Sequence, residues 1–420
     1  MKQQTLKRDD TYFISLGAGH HQLPLIRAAR ELGLGVIAVD RNLKAPGFEL
    51  ANIHLQCNVL RPGRILQLIR ENLTHGEIAG VGCRSYGIVN YSAAILARSL
   101  GTPGLTRENV RAFRDKKELK KRLGMYDIPV PVSYDLESKQ DRKKLPDALP
   151  LIARPAMGHG KQGISILRTE EELESFLDGA ENHENRILVE DLLDGREITV
   201  IGLVRNGKFF AAAVSDKITS KEPPMFAEVM HRFPARLSPK TRKKILSCMQ
   251  KIAGATGIKN GPLVAEFLLV GTDTNEEFFL VECAPEAGGE YIADFMVPAV
   301  TGKNFFQEAV RLYIGLNDHE DLFPLPEEKD SSRVVIRYII QKDGKLTNLK
   351  FPERLYSHPG LIFAKHLKHP GEKTSVSLGN LDRLAVFILK GSMEQAFSLD
   401  IDVENIVRDT VVEYEESGQS

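Results

Sequence analysis

The sequence predicts an α/β protein (α+β in its later parts) with an open parallel α/β domain at its N-terminus and a strand-rich C-terminal region. Three observations support this prediction. Residues 12–40 contain a β-α-β pattern, in which a buried strand ends in a glycine turn and a helix leads to a second buried strand. Residues 151–177 contain a glycine loop that joins two strands, with a helix only after the second strand. From about residue 317 onward, strand patterns outnumber helical ones.

The elements follow the chain in a regular order. In the first region, helices are predicted at 23–32, 64–72 and 91–100, and strands at 12–16, 35–40 and 78–81. In the second region, a charged helix at 107–123 precedes strands at 150–155, 164–167 and 186–190 and a helix at 170–177. Later strands are predicted at 197–204, 208–213, 263–270, 277–283, 331–340 and 383–389. This grouping predicts an N-terminal α/β domain (1–106), a small unit with the glycine loop (107–190), a unit with two acidic strands (191–316) and a C-terminal unit (317–420).

Length and composition exclude several classes of protein. A chain of 420 residues is long enough for two or three domains. The 56 Lys and Arg residues balance the 56 Asp and Glu residues, so no net field favours nucleic acid or a membrane surface. The four cysteines lie too far apart for a zinc site, and no apolar run of about 18 residues predicts a membrane helix. We therefore expect a cytoplasmic protein that binds small molecules, without nucleic-acid or membrane partners.

Two glutamates lie in strands that are otherwise apolar. Glu266 lies within 263–269 and Glu282 within 278–283, and each shares its strand face with apolar neighbours. A buried carboxylate is costly unless it is paired or bound to a cation. A divalent ion would also cancel the repulsion between two acids on adjacent strands, so the pair predicts a site for Mg²⁺, with Mn²⁺ as an alternative. The alternative explanation is a pair of structural salt bridges to Lys or Arg.

The loop at 158–163 predicts a phosphate-binding segment. Its glycines allow backbone N–H groups to approach phosphate oxygens, and Lys161 adds a positive charge. Arg154, at the end of the preceding strand, is suited to clamp the same phosphates. An ordinary hairpin turn would have a similar sequence.

The segment 187–197 joins two predicted strands. Backbone groups of such a connection can bind an adenine edge, and an acid just beyond it can hold ribose hydroxyls. A charged turn would fit the pattern equally well.

The first domain offers a competing nucleotide site. Gly17-x-Gly19-x-x-Gln22, followed by Asp40 at the end of the next strand, is similar to a dinucleotide-binding fingerprint. Gln22 replaces the third glycine, which weakens the case for NAD. The alternative is a loop that shapes a substrate pocket.

Taken together, these features resemble the ATP-grasp superfamily over roughly residues 10–400. The stretch 195–200 is similar to the segment of D-alanine–D-alanine ligases in which a glutamate binds the ribose of ATP. The resemblance implies an ATP-grasp fold, with ATP and Mg²⁺ as cofactors and with Glu266 and Glu282 as metal ligands. The implied nucleotide-binding residues are Lys116, Arg154, Gly158, His159, Gly160, Lys161, Gly163, Glu190, Asp191, Leu193 and Glu197, of which Asp191 and Leu193 would act through their backbones.

Within the superfamily, the stretches 215–220, 225–235 and 381–385 are similar to the L-amino-acid ligase group of carboxylate–amine ligases. The resemblance implies that a small-molecule carboxylate attacks the γ-phosphate of ATP and that an amine then displaces phosphate to form an amide. The implied catalytic residues are Arg154, Lys161, Glu282 and Arg311. The implied substrate residues are Lys217, His231, Arg232, Glu286, Gly288 and Gly289. A homodimer is one option for the assembly.

Two positions depart from the family pattern. Ala284 follows the second acid where relatives often have asparagine, although alanine also occurs in the carboxyaminoimidazole ribonucleotide synthetase branch. Glu286 replaces an arginine that usually steadies a substrate carboxylate or the acyl phosphate. An acid there predicts an acceptor site that favours a cationic amine through Glu286 and Glu290, unless Arg232 or Arg311 supplies the missing charge.

Two other functions remain open at this point. Ala284 favours a carboxylase-like or purine-biosynthesis-type enzyme, and the loss of arginine at position 286 favours a non-catalytic ATP-binding protein on a degenerate ATP-grasp fold. Retention of both metal acids, Lys116, Arg154 and Glu197 favours the ligase.

Overall fold

A computed structural model describes residues 10–85, 87–136, 139–146, 149–155, 164–180, 187–221, 226–272, 276–289, 291–316, 322–324 and 332–415. The predicted site residues Gly158, His159, Gly160, Lys161 and Gly163, and Glu290, lie outside these ranges. Within the described ranges, no helix is both long enough and apolar enough to cross a membrane.

The N-terminal domain is the predicted open parallel sheet. Its strands are β1 (Thr11–Leu16), β2 (Gly35–Asp40), β3 (Ile53–Gln56) and β4 (Glu77–Gly82), in the order β3-β2-β1-β4. Its helices are α1 (Leu23–Glu31), α2 (Pro62–Asn72) and α3 (Ile88–Leu100). All three strand pairs are parallel, which places the loops after β1 and β4 side by side at the carboxyl edge of the sheet.

The charged helix predicted at 107–123 is two helices, α4 (Arg107–Arg114) and α5 (Lys116–Gly124). Asp115 separates them because its side chain accepts hydrogen bonds from the amides of Lys117 (2.9 Å) and Glu118 (3.3 Å) and so caps the second helix. The prediction of one continuous helix was wrong. The cap places Lys116 at the first position of α5.

A small antiparallel sheet follows, with β5 (Ser133–Leu136), β6 (Leu151–Pro155), β7 (Ser165–Leu167) and β8 (Ile187–Asp191) in the order β5-β8-β6-β7. Helix α6 (Glu170–Ala180) covers this sheet, and its Leu173 and Leu177 are buried in the common core. β6 ends at Pro155, one residue after Arg154, and the role of Arg154 as a phosphate clamp stays a prediction.

The centre of the molecule is an eight-stranded sheet in the order β13-β12-β9-β10-β11-β14-β18-β16. Its strands are β9 (Arg196–Arg205), β10 (Lys208–Thr219), β11 (Glu228–Phe233), β12 (Gly261–Val270), β13 (Glu277–Ala284), β14 (Ser332–Ile339), β16 (Leu361–His366) and β18 (Ala385–Ser392). The sheet crosses the predicted boundary at residue 317, because β11 pairs with β14. The C-terminal unit therefore extends the central sheet.

The remaining elements surround this sheet. They are α7 (Pro239–Thr256), a π-helix (Ile292–Met296), α8 (Val297–Thr301), α9 (Phe305–Tyr313), β15 (Gly344–Lys350), α10 (Glu353–Tyr356), β17 (Lys373–Thr374), α11 (Ala396–Asp409) and β19 (Val411–Tyr414). Helix α11 was not among the predicted elements, although the C-terminal region is rich in strands as expected. Its Leu399, Val403 and Ile406 are buried in the core that includes residues of β14 and β18.

The two faces of the central sheet have different roles. On one face, Ile198 and Val200 pack in the core formed with α7. On the other face, Ile201 and Leu203 pack in the core shared with the N-terminal domain. Because side chains alternate along a strand, Glu197 and Thr199 lie on the second face, beside that core.

Candidate active site

A row of polar side chains crosses the second face of the central sheet. Glu197 is paired with Lys217, and Thr199 with Glu266, in the register of the strands. Lys217 is in turn paired with His231 on β11. Residues directly opposite each other in a sheet point to the same side. The register therefore brings together residues that are far apart in sequence.

The two predicted metal acids are direct neighbours. Glu266 and Glu282 are paired in the register of β12 and β13. Glu282 is exposed, and the side chain of Glu266 is 23% exposed and lies 2.5 Å (Oε2) from Nζ of Lys217. Glu266 therefore forms the salt bridge that was the alternative explanation for a buried acid. Among the described residues, Glu282 forms no salt bridge.

These carboxylates suit a magnesium ion that arrives with a nucleotide. Within the described part of the chain, no three His, Cys, Asp or Glu side chains converge as a complete metal site. Mg²⁺ is commonly held by one or two carboxylates and by substrate phosphates, and it requires no all-protein cage. An adjacent pair with one exposed member fits this mode of binding.

Lys217 lies at the centre of a buried ionic cluster. Its fully buried Nζ lies 3.1 Å from Glu197 Oε2, 3.1 Å from Glu228 Oε1 and 2.5 Å from Glu266 Oε2. Burial by itself would lower the pKa of Lys217, but the three carboxylates raise it well above its usual value. The lysine is therefore held in its charged form. His231, also buried, lies 3.9 Å (Nε2) from Glu228.

A second cluster lies where the small sheet approaches β13. Arg154 is buried, its NH2 group lies 2.6 Å from Glu190 Oε2, and it donates to the carbonyl of Val281 (3.2 Å). Glu190 also forms an ion pair with Lys120 of α5. Burial lowers the pKa of Arg154, while the nearby carboxylates of Glu282 and Glu266 raise it. Arg154 thus lies within electrostatic range of both metal acids.

Lys116 belongs to the same positively charged group. Burial lowers its pKa, the carboxylate of Glu282 raises it, and the charge of Arg154 lowers it further. Lys116 and Arg154 therefore both interact electrostatically with Glu282. Two cations and two acids in one site are suited to hold phosphates together with a magnesium ion.

The predicted adenine-binding connection leads from β8 to β9. The amide of Asp191 donates to the carbonyl of Val132 (3.1 Å), and its side chain accepts from the hydroxyl of Tyr134 (3.0 Å). The Asp191 amide is therefore used within the fold, and Leu193 lies two residues further on in the connection. The role of these two residues towards adenine stays a prediction.

Glu286 lies near the metal acids but has a different environment. Burial, reinforced by the charges of Glu282 and Glu266, raises its pKa to about 8, whereas Arg84 lowers it. No described residue forms a hydrogen bond with its buried Oε2. Gly288, with a φ of +65°, lies beside Val264 and Ile201 of the same sheet face. Gly289 follows it and is exposed.

Two predicted residues do not join this site. Arg232 points to the opposite face of the sheet, where it pairs with Asp216 (3.2 Å) and Asp400 (3.4 Å). Its assignment to the substrate site on the Lys217 face is therefore corrected. Arg311 lies on α9, and its ion pair among the described residues is with Glu308 of the same helix (3.9 Å). The structure thus provides no contact that links either arginine to Glu286.

The sequence did not indicate that Arg84, in the loop after β4, forms an ion pair with a distant residue. Its guanidinium forms a bidentate pair with Asp294 of the π-helix, with distances of 2.5 and 2.6 Å. Gln22 fixes the same loop, because its side chain accepts from the Arg84 amide (2.8 Å) and donates to the Arg84 carbonyl (2.7 Å). Glutamine in the glycine motif thus has a structural reason, but no pattern in the sequence signals a partner 62 residues away.

The same loop gives a local explanation for Asp40. Its carboxylate accepts hydrogen bonds from the amides of Ala18 and Asn42, both at 2.9 Å. These bonds tie the end of β2 to the loop that follows β1. The acid of the apparent dinucleotide fingerprint is therefore explained without NAD.

Comparison with known families agrees with this geometry. Residues 148–294 match the family described as the ATP-grasp domain, a range that contains Arg154, Glu190, Glu266 and Glu282. Over these residues the chain is similar to an ATP-grasp domain. Related proteins include the carbamoyl phosphate synthase large chain of Clostridium beijerinckii, which is 23% identical over 77% of this chain and 30% of its own length. Formate-dependent phosphoribosylglycinamide formyltransferase of Methanocaldococcus jannaschii is 25% identical over 45% of this chain and 50% of its own length.

The chain therefore spans about a third to a half of these relatives. Solved structures resemble it over almost its whole length. The L-amino acid ligase of Bacillus licheniformis superimposes with a TM-score of 0.79, at 19% identity and with coverage of 98% of this chain and 100% of the ligase. Phosphoribosylglycinamide synthetase of Anaerococcus prevotii gives 0.73, at 19% identity and with coverage of 97% and 100%.

The biotin carboxylase domain of Hydrogenobacter thermophilus 2-oxoglutarate carboxylase, solved with MgADP and bicarbonate, gives a TM-score of 0.71 at 16% identity, with coverage of 96% and 90%. These likenesses confirm the predicted fold of the ATP-grasp type.

Proposed function

We propose that this protein is an ATP-dependent carboxylate–amine ligase that forms an amide bond and releases ADP and phosphate. The observation that carries the proposal is the pairing of Glu266 with Glu282 on one sheet face, within electrostatic range of the cations Arg154 and Lys116. The family match and the fold shared with an L-amino acid ligase support it. A site with this charge pattern is suited to phosphoryl transfer to a carboxylate.

Each residue has a distinct role in the proposed reaction. Glu197 binds the ribose, while Lys116 and Arg154 bind the phosphates and stabilise charge on the transferring group. Glu266 and Glu282 would hold Mg²⁺, which neutralises phosphate charge. The substrate carboxylate attacks the γ-phosphorus, the bond to ADP breaks, and an acyl phosphate forms. The amine nitrogen then attacks the acyl carbon, phosphate leaves with the bonding electrons, and one amine proton is released.

The test incubates the protein with Mg-ATP and with pairs of candidate substrates drawn from amino acids, short carboxylates, bicarbonate and polyamines. The release of ADP and phosphate is measured, and the products are identified by mass spectrometry. We expect ADP, phosphate and a new product at the amide mass for at least one pair. Turnover that requires bicarbonate, with a carboxylated product, would instead support the carboxylase-like function. Binding of Mg-ATP without turnover on any pair would support the non-catalytic alternative.

Glu286 is proposed to set acceptor preference. Glu286→Arg is expected to change the rank order of accepted amines while leaving the affinity for Mg-ATP within about threefold, because Glu286 is adjacent to the metal acids without pairing to the cations that bind phosphate. Calorimetry with Mg-ATP and the product matrix measure the two effects separately. A selective loss of Mg-ATP binding would move Glu286 into the nucleotide site.

A further inference from the structure

Three carboxylates surround the single ammonium group of Lys217, whereas a structural ion pair requires only one. One buried ammonium contacts carboxylates from three other strands, β9, β11 and β12. Replacing a buried ion pair with apolar residues is often neutral or stabilising, so stability alone gives little reason to keep such a group. The position of the cluster, between Glu197 and Glu266, suggests a role in the site itself.

On one side of the cluster, the backbone of Glu228 is held in place by hydrogen bonds. Its amide donates to the side chain of Asn380 (2.9 Å), and its carbonyl accepts from Arg383 (3.4 Å). The Arg383 guanidinium in turn lies 3.8 Å from the ring centre of Tyr338. The three stretches that resemble L-amino-acid ligases thus meet here, through Lys217, Glu228 and Arg383. This anchoring holds Lys217 from the side opposite to Glu197 and Glu266.

Both oxygens of Glu197 are engaged on the protein side. Oε2 lies 3.1 Å from Lys217 Nζ, and Oε1 accepts from the hydroxyl of Thr219 (3.3 Å). Two contacts from neighbouring positions on β10 restrict rotation of the carboxylate. The Glu197 side chain is nevertheless 18% exposed, so it can still accept hydrogen bonds from a ligand.

We propose that Lys217 and Thr219 are positioning residues that orient Glu197 towards the ribose hydroxyls of ATP, with the Lys217 ammonium bridging Glu197 to Glu266. The inference rests on the proposed function, because it requires that Mg-ATP bind at this site. In this arrangement the Lys217 ammonium positions both Glu197, which binds the ribose, and Glu266, which would bind the metal.

The test compares binding of Mg-ATP with binding of its 2′-deoxy and 3′-deoxy analogues by calorimetry. A hydrogen bond to a charged group corresponds to about a tenfold difference in affinity, so wild-type protein should prefer ATP by about that factor over at least one analogue. Lys217→Met should bring this ratio close to one. Thr219→Val, which keeps the size of the side chain, should lower the ratio by about threefold.

Arg333→Met is the matched control. Arg333 is another largely buried cation in the same sheet, with a side chain that is 11% exposed, but it pairs with Asp400 (2.7 Å) on the opposite face. Its replacement should lower the thermal unfolding temperature and leave the ratio unchanged. If Lys217→Met does not fold, Thr219→Val decides the question. The same ratio in wild-type protein and every folded variant would overturn the inference and leave the proposed function standing, whereas absence of Mg-ATP binding to wild-type protein would overturn both.

Discussion

Replacing Glu282 with glutamine is expected to lower turnover at least about a hundredfold while the fold is retained. Removal of one group that stabilises charge in a transition state typically lowers the rate by this factor. The change removes a charged metal ligand with little change in volume. Glu282 is exposed at the edge of the central sheet, and an exposed substitution normally changes the free energy of unfolding by less than about 0.5 kcal/mol. Turnover with Mg-ATP and urea unfolding measure the two effects.

Glu277→Gln is the matched control for this experiment. Glu277 is an exposed glutamate on the same strand, opposite Val270 and away from Glu266. It should leave turnover unchanged. A Glu282→Gln protein with the wild-type rate would remove Glu282 from the proposed metal site, whatever the behaviour of the control.

Arg154→Met should cause the second large loss, and it should affect both activity and stability. Arg154 is a buried cation beside Glu190 and within range of both metal acids. Removing one partner of a buried ion pair costs about 3–5 kcal/mol, because the other charge is left without compensation. Here Lys120 still pairs with Glu190, so the lower end of that range is expected. Loss of a phosphate clamp should lower turnover by about 10²–10³ as well.

Two further variants distinguish the loss of activity from the loss of stability. Arg154→Lys retains the charge, so it should keep most of the activity. The double variant Arg154→Met/Glu190→Gln also removes the carboxylate that pairs with buried Lys120, so it should be no more stable than Arg154→Met and should stay inactive. Measurements of unfolding by urea and of phosphate release would distinguish these outcomes. Recovery of activity in the double variant would contradict a direct role for Arg154 at the phosphates.

The local elements were predictable because their signals are contiguous in the chain. The β-α-β unit at 12–40 and the strands that carry Glu266 and Glu282 follow from apolar periodicity within short windows. The break at Asp115 and the helix Ala396–Asp409 were missed for local reasons. The Asp115 cap is a single side chain within a charged run, and the helix was hidden by its β-branched residues, whose preference for strands is overridden by packing.

The sequence by itself determined which residue types the site contains: two acids in apolar strands, a basic residue before a glycine loop, and an acid after a strand connection. Only the tertiary structure decided which of them meet. Sheet register placed Lys217 between Glu197, Glu228 and Glu266 and turned Arg232 to the other face, since a shift of one position reverses the direction of a side chain. Arg84 and Asp294 come together over 210 residues of sequence because the N-terminal sheet and the segment that contains Asp294 share one apolar core. Such contacts depend on how whole elements bury their apolar faces, and no local pattern encodes them.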